Sequence, residues 1–177
     1  VSHESTDILM MGYRYDLPGQ TSRVWLPGDP LPKFVKTPND FEIVAHNAEF
    51  EWAVTNFVGV KKHGFAPTTF DNYNCTMALC GRYGLPQSLE KAGEILKLKI
   101  QKNPEGKLLI KLFCMPAMGF GRDPYGEVLP QYLPRWERFI QYCHDDVNTE
   151  YELLHTLPAD HLSTSEREAW IHSCEVN

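Results

Sequence analysis

The chain has 177 residues, of which 42% are hydrophobic and 23% charged, and this is enough apolar material for one globular domain with a core. No stretch approaches the roughly 18 uninterrupted apolar residues that a membrane span needs, so we expect no membrane-spanning segment. The net charge of −6 argues against a general binder of polyanions.

Charge is divided along the chain in a way that the net value hides. Residues 90–111 hold six lysines and three acids, whereas residues 137–177 hold nine acids and two arginines. This division fits nucleic-acid backbone contacts beside a metal-binding carboxylate cluster, and it also fits an ordinary solvated surface.

Cysteine usage indicates a reducing compartment. The five cysteines are odd in number and scattered, which does not suit a disulfide framework. The N-terminal residues have neither the basic start nor the apolar stretch of a signal peptide. We therefore expect a cytoplasmic location.

The first third of the chain predicts a hairpin and then a strand, turn and helix. Residues 8–15 and 23–26 are rich in apolar and aromatic residues and flank a turn sequence, which is typical of an antiparallel hairpin. Prolines keep the following residues irregular up to a short strand over residues 42–45. Asn47 comes next as a candidate helix cap, before apolar residues at helical spacing.

The rest of the chain predicts helices separated by loops. Helices are expected over residues 76–83 and from Ser88, whose hydroxyl is a candidate cap. Glycines and prolines place long loops in residues 101–131. The strongest periodicity, over residues 136–154, predicts an amphipathic helix, and a last helix with a serine or threonine cap follows. Strands first and alternating strands and helices afterwards indicate an α/β domain with a mixed sheet.

Two groups of polar residues are candidates for chemistry. Tyr142 and Asp146 lie one turn apart on the flank of the long helix's apolar stripe, whereas Asp145 points to solvent. Glu51 lies one turn after Asn47, where a strand ends and a helix begins, the usual place for ligand-binding residues in α/β sheets. His46 has no partner at catalytic spacing, and we expect it to be structural.

These two groups together resemble a known family. Asn47-x-x-x-Glu51 after an apolar strand, followed by Tyr142-x-x-x-Asp146, resembles the second and third motifs of the DEDD 3′→5′ exonucleases. The tyrosine four residues before the aspartate is typical of the DEDDy branch, which includes the proofreading domains of family-A DNA polymerases. The sequence around these motifs is similar to phage-type family-A polymerases over nearly the whole chain. It includes Gly84-Leu-Pro and Lys111-Leu-Phe-Cys-Met-Pro.

The resemblance implies an RNase H-like α/β fold, with a mixed sheet flanked by helices, that hydrolyses the 3′-terminal phosphodiester of single-stranded or frayed DNA. Two divalent ions, Mg²⁺ or Mn²⁺, serve this chemistry. By this resemblance Asp146 is a direct metal ligand, Glu51 supports the second metal and Tyr142 orients the attacking water. Contacts with the nucleic acid are expected from Asn47, Lys102, Lys107 and Lys111. The implied partners are a DNA 3′ end and a polymerase domain in the same parent chain of a bacterial or phage-infected cell.

The chain departs from the family pattern at two places. Glu51 stands where the family mostly has aspartate, and the first motif, Asp-x-Glu on the central strand, is absent. Asp40-Phe-Glu42 has the right letters, but it lies on the strand of the second motif. We expect the missing strand upstream of Val1, residues 1–160 to form the exonuclease-like domain and residues 161–177 to begin the connection to a polymerase domain. The chain by itself is then expected to be a weak or inactive nuclease.

Three alternatives stay open at this point. The first is a non-catalytic module that binds single-stranded nucleic acid with an exonuclease-like fold. The second is a zinc-stabilised domain using Cys75, Cys80, Cys114 and His144, although the spacing lacks the usual paired knuckle. The third is an exonuclease of the DEDDh branch acting on RNA, which needs a histidine where this chain has Gln141.

Overall fold

The computed structural model describes residue 4 and residues 6–99, 105–115, 121–123 and 126–176. The elements follow one another as short strands and helices in an α/β arrangement. The strands are β1 (Met11–Tyr13), β2 (Arg23–Trp25), β3 (Ile43–Ala45) and β4 (Tyr73–Cys75). The helices are α1 (Lys33–Lys36), α2 (Ala48–Val54), α3 (Thr76–Arg82), α4 (Leu89–Leu96), α5 (Gly106–Cys114), α6 (Leu133–Thr156) and α7 (Thr164–Glu175).

The strands of the described residues form two separate sheets. β1 pairs with β2 in antiparallel register, with Gly12 opposite Val24, as the hairpin pattern predicts. β3 pairs with β4 in parallel register, with Val44 opposite Asn74. The described residues are thus α/β, as the sequence predicts, but their strands form two two-stranded sheets, and β1 and β3 do not pair with each other.

Helix α2 begins directly after β3, as predicted, but its start has a different cause. Asn47 adopts the left-handed conformation, with φ of 71°, and its side chain makes no capping hydrogen bond. Asparagine tolerates this conformation better than most residues, so it turns the chain from strand to helix. Thr55–His63 continue α2 with the wider hydrogen bonding of a π-helix, which ends at Gly64.

Helix α6 is the element around which the others pack. It contacts β1, β2, α3, α4 and α5. Leu153 packs with buried Leu79 of α3 and Ala92 of α4, whereas Phe139 and Tyr142 pack with Leu109 and Phe113 of α5. The periodic pattern of residues 136–154 predicted this helix correctly, although Tyr142 is buried rather than at the flank.

Helix α5 corrects the expectation of long loops over residues 101–131. Gly106–Cys114 form a helix whose buried residues are Gly106, Leu109 and Phe113. Glycines and prolines flank this stretch, but its apolar residues recur at helical spacing and pack on α6.

The C-terminal helix α7 packs on the β3–β4 layer. Trp170 contacts the cluster that includes Ala45 and Tyr73, and Arg167 donates to the main-chain oxygen of Asp71 at 2.7 Å. Its start is the predicted capping box, in which Ser163 and Glu166 exchange side-chain and main-chain bonds. The division at residue 160 into a domain and a connecting helix stays a prediction. Within the described residues no helix is long and apolar enough to cross a membrane.

Candidate active site

Glu51 lies one turn into α2, beside the end of β3. Its side chain is largely buried, and its Oε2 atom makes no hydrogen bond to any described residue. Burial raises the pKa of Glu51 from 4.5 to about 7, because the charged form loses water and a hydrogen bond with its own main chain offsets only part of this cost. The carboxyl therefore has capacity for a proton or a cation.

Helix α6 presents three polar residues at successive turns, Tyr142, Asp146 and Glu150. The Tyr142 hydroxyl donates to the Asp146 carboxylate, and burial together with this neighbour raises the pKa of Tyr142. The predicted proximity of Tyr142 and Asp146 is thus confirmed as a direct contact.

Glu150 is a residue of this group that the sequence reasoning did not single out. Thr76 donates a hydrogen bond to its Oε1 atom at 3.1 Å. Burial raises the pKa of Glu150 to about 8, with further contributions from the negative charges of Glu51 and Asp146. Its spacing of four residues from Asp146 was the available signal.

These carboxylates border one cavity of about 760 Å³. Glu51 reaches it from α2, and Asp146 and Glu150 reach it from α6. Residues of β1 and β3 also line it, so the cavity lies between the two sheets. Residues far apart in sequence thus contribute acidic groups to the same space.

The chemistry of these groups fits a hard divalent cation in part. Carboxylate oxygens are the ligands that Mg²⁺ and Mn²⁺ prefer, and burial is the main cause of the raised pKa values of Glu51 and Glu150. However, no group of three or more His, Cys, Asp and Glu side chains in the described part of the chain is arranged to hold a metal ion. Further oxygen ligands are required to complete a cation site here. The four residues of the zinc alternative form no such group either.

The residues predicted to contact nucleic acid lie in different places. Asn47 is exposed and lines the cavity. Lys107 and Lys111 are exposed on α5, whose described residues do not border the cavity. Lys102 lies outside the described residues. The structure therefore brings Asn47 to the acidic pocket and leaves the two α5 lysines on another surface.

Aromatic residues near the site divide between surface and core. Phe50 is 53% exposed and lines the cavity next to Glu51. Tyr73 and Phe113 are buried and belong to core clusters. Phe50 is the most exposed of these three rings, and Tyr73 borders the cavity from the core.

Below Glu150, the pocket continues into a hydrogen-bonded group that includes His46. The His46 Nδ1 atom lies 3.0 Å from the Thr76 hydroxyl, and Nε2 lies 2.7 Å from the main-chain oxygen of Gln87. Thr76 and Gln87 come from distant segments, and these hydrogen bonds fit the structural role expected of His46.

Fold and site together define an α/β domain with an acidic pocket between two small sheets. Over 97% of its length the chain is 29% identical to the DNA polymerase of Bacillus phage SP02. It spans about a quarter of that polymerase, 26% of its length. This similarity supports a polymerase-related domain. No protein-family model matches the chain, and no solved structure matches it.

Proposed function

We propose that the chain is the 3′→5′ proofreading exonuclease domain of a DNA polymerase, of the DEDDy branch. The observation that carries this proposal is the meeting of Glu51 and Asp146 in one cavity, with Tyr142 hydrogen-bonded to Asp146. The similarity to a phage DNA polymerase over nearly the whole chain supports the same assignment.

Each residue has the role that the resemblance to the DEDDy exonucleases implies. Asp146 would hold a divalent cation directly, and Glu51 would support a second one through water. Bound cations would supply charge stabilisation for phosphodiester hydrolysis. The Tyr142 hydroxyl, fixed by Asp146, orients the attacking water at the 3′-terminal phosphate. Asn47, at the mouth of the pocket, contacts the nucleic acid, and Lys102, Lys107 and Lys111 contact backbone phosphates farther along.

The proposed fold is RNase H-like, with a central strand that joins the two sheets between β1 and β3. The pocket of about 760 Å³ between the two sheets is where this strand would lie. A strand that carries Asp-x-Glu would add two carboxylates to the incomplete cation site.

Nuclease assays on the chain and on its parent polypeptide test this function. We expect the parent to release mononucleotides from the 3′ end of single-stranded DNA with Mn²⁺, and the chain alone to be weak or inactive. Asp146→Ala and Glu51→Ala in the parent should each lower the rate at least about a hundredfold, and Tyr142→Phe should lower it less. Asp145→Ala is the matched control on α6, since Asp145 accepts a hydrogen bond from Gln141 instead. Undiminished cleavage by Asp146→Ala would contradict the proposal.

The second candidate is a non-catalytic module that holds single-stranded nucleic acid. The incomplete ligand set of the described residues favours this candidate. In this case fluorescence anisotropy shows that a labelled oligonucleotide binds the parent polypeptide, and no mononucleotide is released with Mn²⁺. Cleavage that depends on Asp146 excludes this candidate.

A further inference from the structure

Three residues from three segments form a continuous hydrogen-bonded row at the wall of the acidic pocket. His46 follows β3, Thr76 begins α3 and Glu150 lies on α6. The Thr76 hydroxyl lies 3.0 Å from His46 Nδ1 and 3.1 Å from Glu150 Oε1, and Thr76 is fully buried. The far end of the row is Nε2 of His46, at 2.7 Å from the main-chain oxygen of Gln87.

The donors and acceptors of this row fix how many protons it holds. A main-chain oxygen only accepts, so Nε2 of His46 must carry a proton. The Thr76 hydroxyl has one proton and two neighbours that can accept it. If Thr76 donates to Glu150, then Nδ1 must be protonated and donate to Thr76. If Thr76 donates to Nδ1, then Glu150 must be protonated and donate to Thr76.

Both arrangements carry one proton more than a neutral imidazole with a charged carboxylate. The pair of His46 and Glu150 is therefore electrically neutral in either arrangement. This matters because Glu51 and Asp146 also contribute negative charge to Glu150. A charged Glu150 without compensation would add a third negative charge to a buried pocket, which is costly.

We infer that His46 is a positioning residue, which acts through the Thr76 hydroxyl to fix the Glu150 carboxyl beside Glu51 and Asp146, with one proton shared between the imidazole and the carboxyl. The row orients Glu150 toward the pocket, and the shared proton balances the charge of this carboxyl. Glu51 and Asp146 then remain as the carboxylates that meet a cation or a substrate. These contacts are independent of whether the pocket cuts DNA, so a chain without nuclease activity tests them equally well.

A double-mutant cycle measures the coupling across the row. The cycle compares the folding stability of the unmutated chain with that of His46→Gln, Glu150→Gln and the double variant. Each single change leaves the other group without its proton partner. We therefore expect the folding equilibrium constant of the double variant to fall at least about fivefold less than the product of the two single effects. The same cycle made in the Thr76→Val background should be multiplicative to within about twofold, because the bridge is missing.

Matched controls separate this coupling from general damage. Glu152→Gln removes a carboxylate on the same helix that binds the Lys99 amide, and its cycle with His46→Gln should be multiplicative. Thr76→Ser keeps the hydroxyl and should keep the coupling that Thr76→Val loses. Multiplicative effects of His46→Gln and Glu150→Gln with Thr76 in place would overturn the inference.

Nuclear magnetic resonance of the histidine rings gives a readout that packing alone does not change. We expect the ring ¹⁵N signals of His46 to show a protonated Nε2 and to shift on Thr76→Val, while Thr76→Ser restores them. His144, whose Nδ1 bonds Ser22 on the other side of α6, is the internal control. An unprotonated Nε2 would overturn the inference, and so would His46 ring signals that do not shift on Thr76→Val. This holds even if the variants are too unstable for the double-mutant cycle.

Discussion

The Glu51 carboxyl loses water on folding, while its Oε2 atom gains no hydrogen bond from the described residues. A carboxyl in this condition prefers its neutral form, which explains the raised pKa of about 7. Neutralisation by a proton and binding of a cation are alternative ways to relieve the same cost. The chemical capacity proposed for the pocket thus follows from the burial of one side chain.

The stability of the chain should depend on pH through Glu51. The folded chain binds this proton more tightly than the unfolded chain, so the contribution is complete below about pH 4.5 and declines up to about pH 7. We expect Glu51→Gln to remove roughly 1–3 kcal/mol of this decline, because one pKa unit corresponds to about 1.4 kcal/mol. Urea unfolding of both chains between pH 4 and pH 8 measures it. Glu152→Gln is the control. An identical pH profile for Glu51→Gln and the unmutated chain would contradict the raised pKa of Glu51.

Two serines that both stand at the N-cap of a helix should differ in their contribution to stability. Ser163 forms a capping box with Glu166, whereas Ser88 makes no side-chain bond to the start of α4. Ser163→Ala should therefore cost about 1 kcal/mol and Ser88→Ala only a few tenths. Thermal unfolding compares them, and equal costs would show that the box contributes nothing.

Sequence spacing identifies some of these residues and misses others for a physical reason. The pair Tyr142 and Asp146 could be predicted because neighbours at i and i+4 share a helix face. Glu150 has the same spacing from Asp146, but its burial depends on Thr76 of another helix. His46 likewise has partners that only the fold brings together.

At the scale of elements, the contact of α5 with α6 shapes the site. Gly106 begins α5 against the Tyr142 ring, and a Cβ atom at this position would overlap the ring carbons. The absence of a side chain at Gly106 lets the ring stay where its hydroxyl reaches Asp146.

Gly106→Ala should therefore displace Tyr142 and destabilise the chain by about 1–3 kcal/mol. Gly81 of α3 is the matched control, because a Cβ atom there meets nothing within 4 Å. Gly81→Ala should stabilise the chain by about 0.5–1 kcal/mol, since alanine lowers the entropy of the unfolded chain. Chemical unfolding measures both changes, and a neutral Gly106→Ala would contradict the close packing of Tyr142.

Helices were predicted best where the apolar repeat in the sequence extends over several turns. Helix α6 shows several turns of apolar repeat, so its existence follows from the sequence. Helix α5 is shorter and stands among glycines and prolines, which favoured a loop. The three-residue strand β4 was not predicted, because so short an element is stabilised by its pairing with β3 and by burial rather than by its own pattern.

At the scale of the whole molecule, the two small sheets and the cavity between them are the main feature. A two-stranded sheet is only marginally stable alone, and each sheet here has a strand edge that borders the cavity. The hydrophobic pattern of each strand predicts the strand itself. It does not contain the information about which strand lies beside which, and so the separation of the described strands into two sheets was not predicted.

Hydrogen exchange tests whether a further strand joins the sheets in the parent polypeptide. In the chain alone, we expect cavity-facing amides of Met11–Tyr13 and Ile43–Ala45 to exchange faster than they do in the parent, because a pairing strand would protect them. Amides of α7 should exchange alike in both and serve as the control. Equal protection of β1 and β3 in the two proteins would contradict the proposed central strand.

The most direct test of the central claim locates a bound cation in the pocket. Mn²⁺ is titrated into the isotope-labelled chain with a deoxynucleoside monophosphate, whose phosphate oxygens supply further ligands, and paramagnetic broadening of the amide signals is recorded. The account predicts that broadening centres on residues 47–51 and 142–150 and is lost in the double variant of Glu51→Gln and Asp146→Asn. Broadening centred elsewhere, or unchanged in that variant, would contradict it.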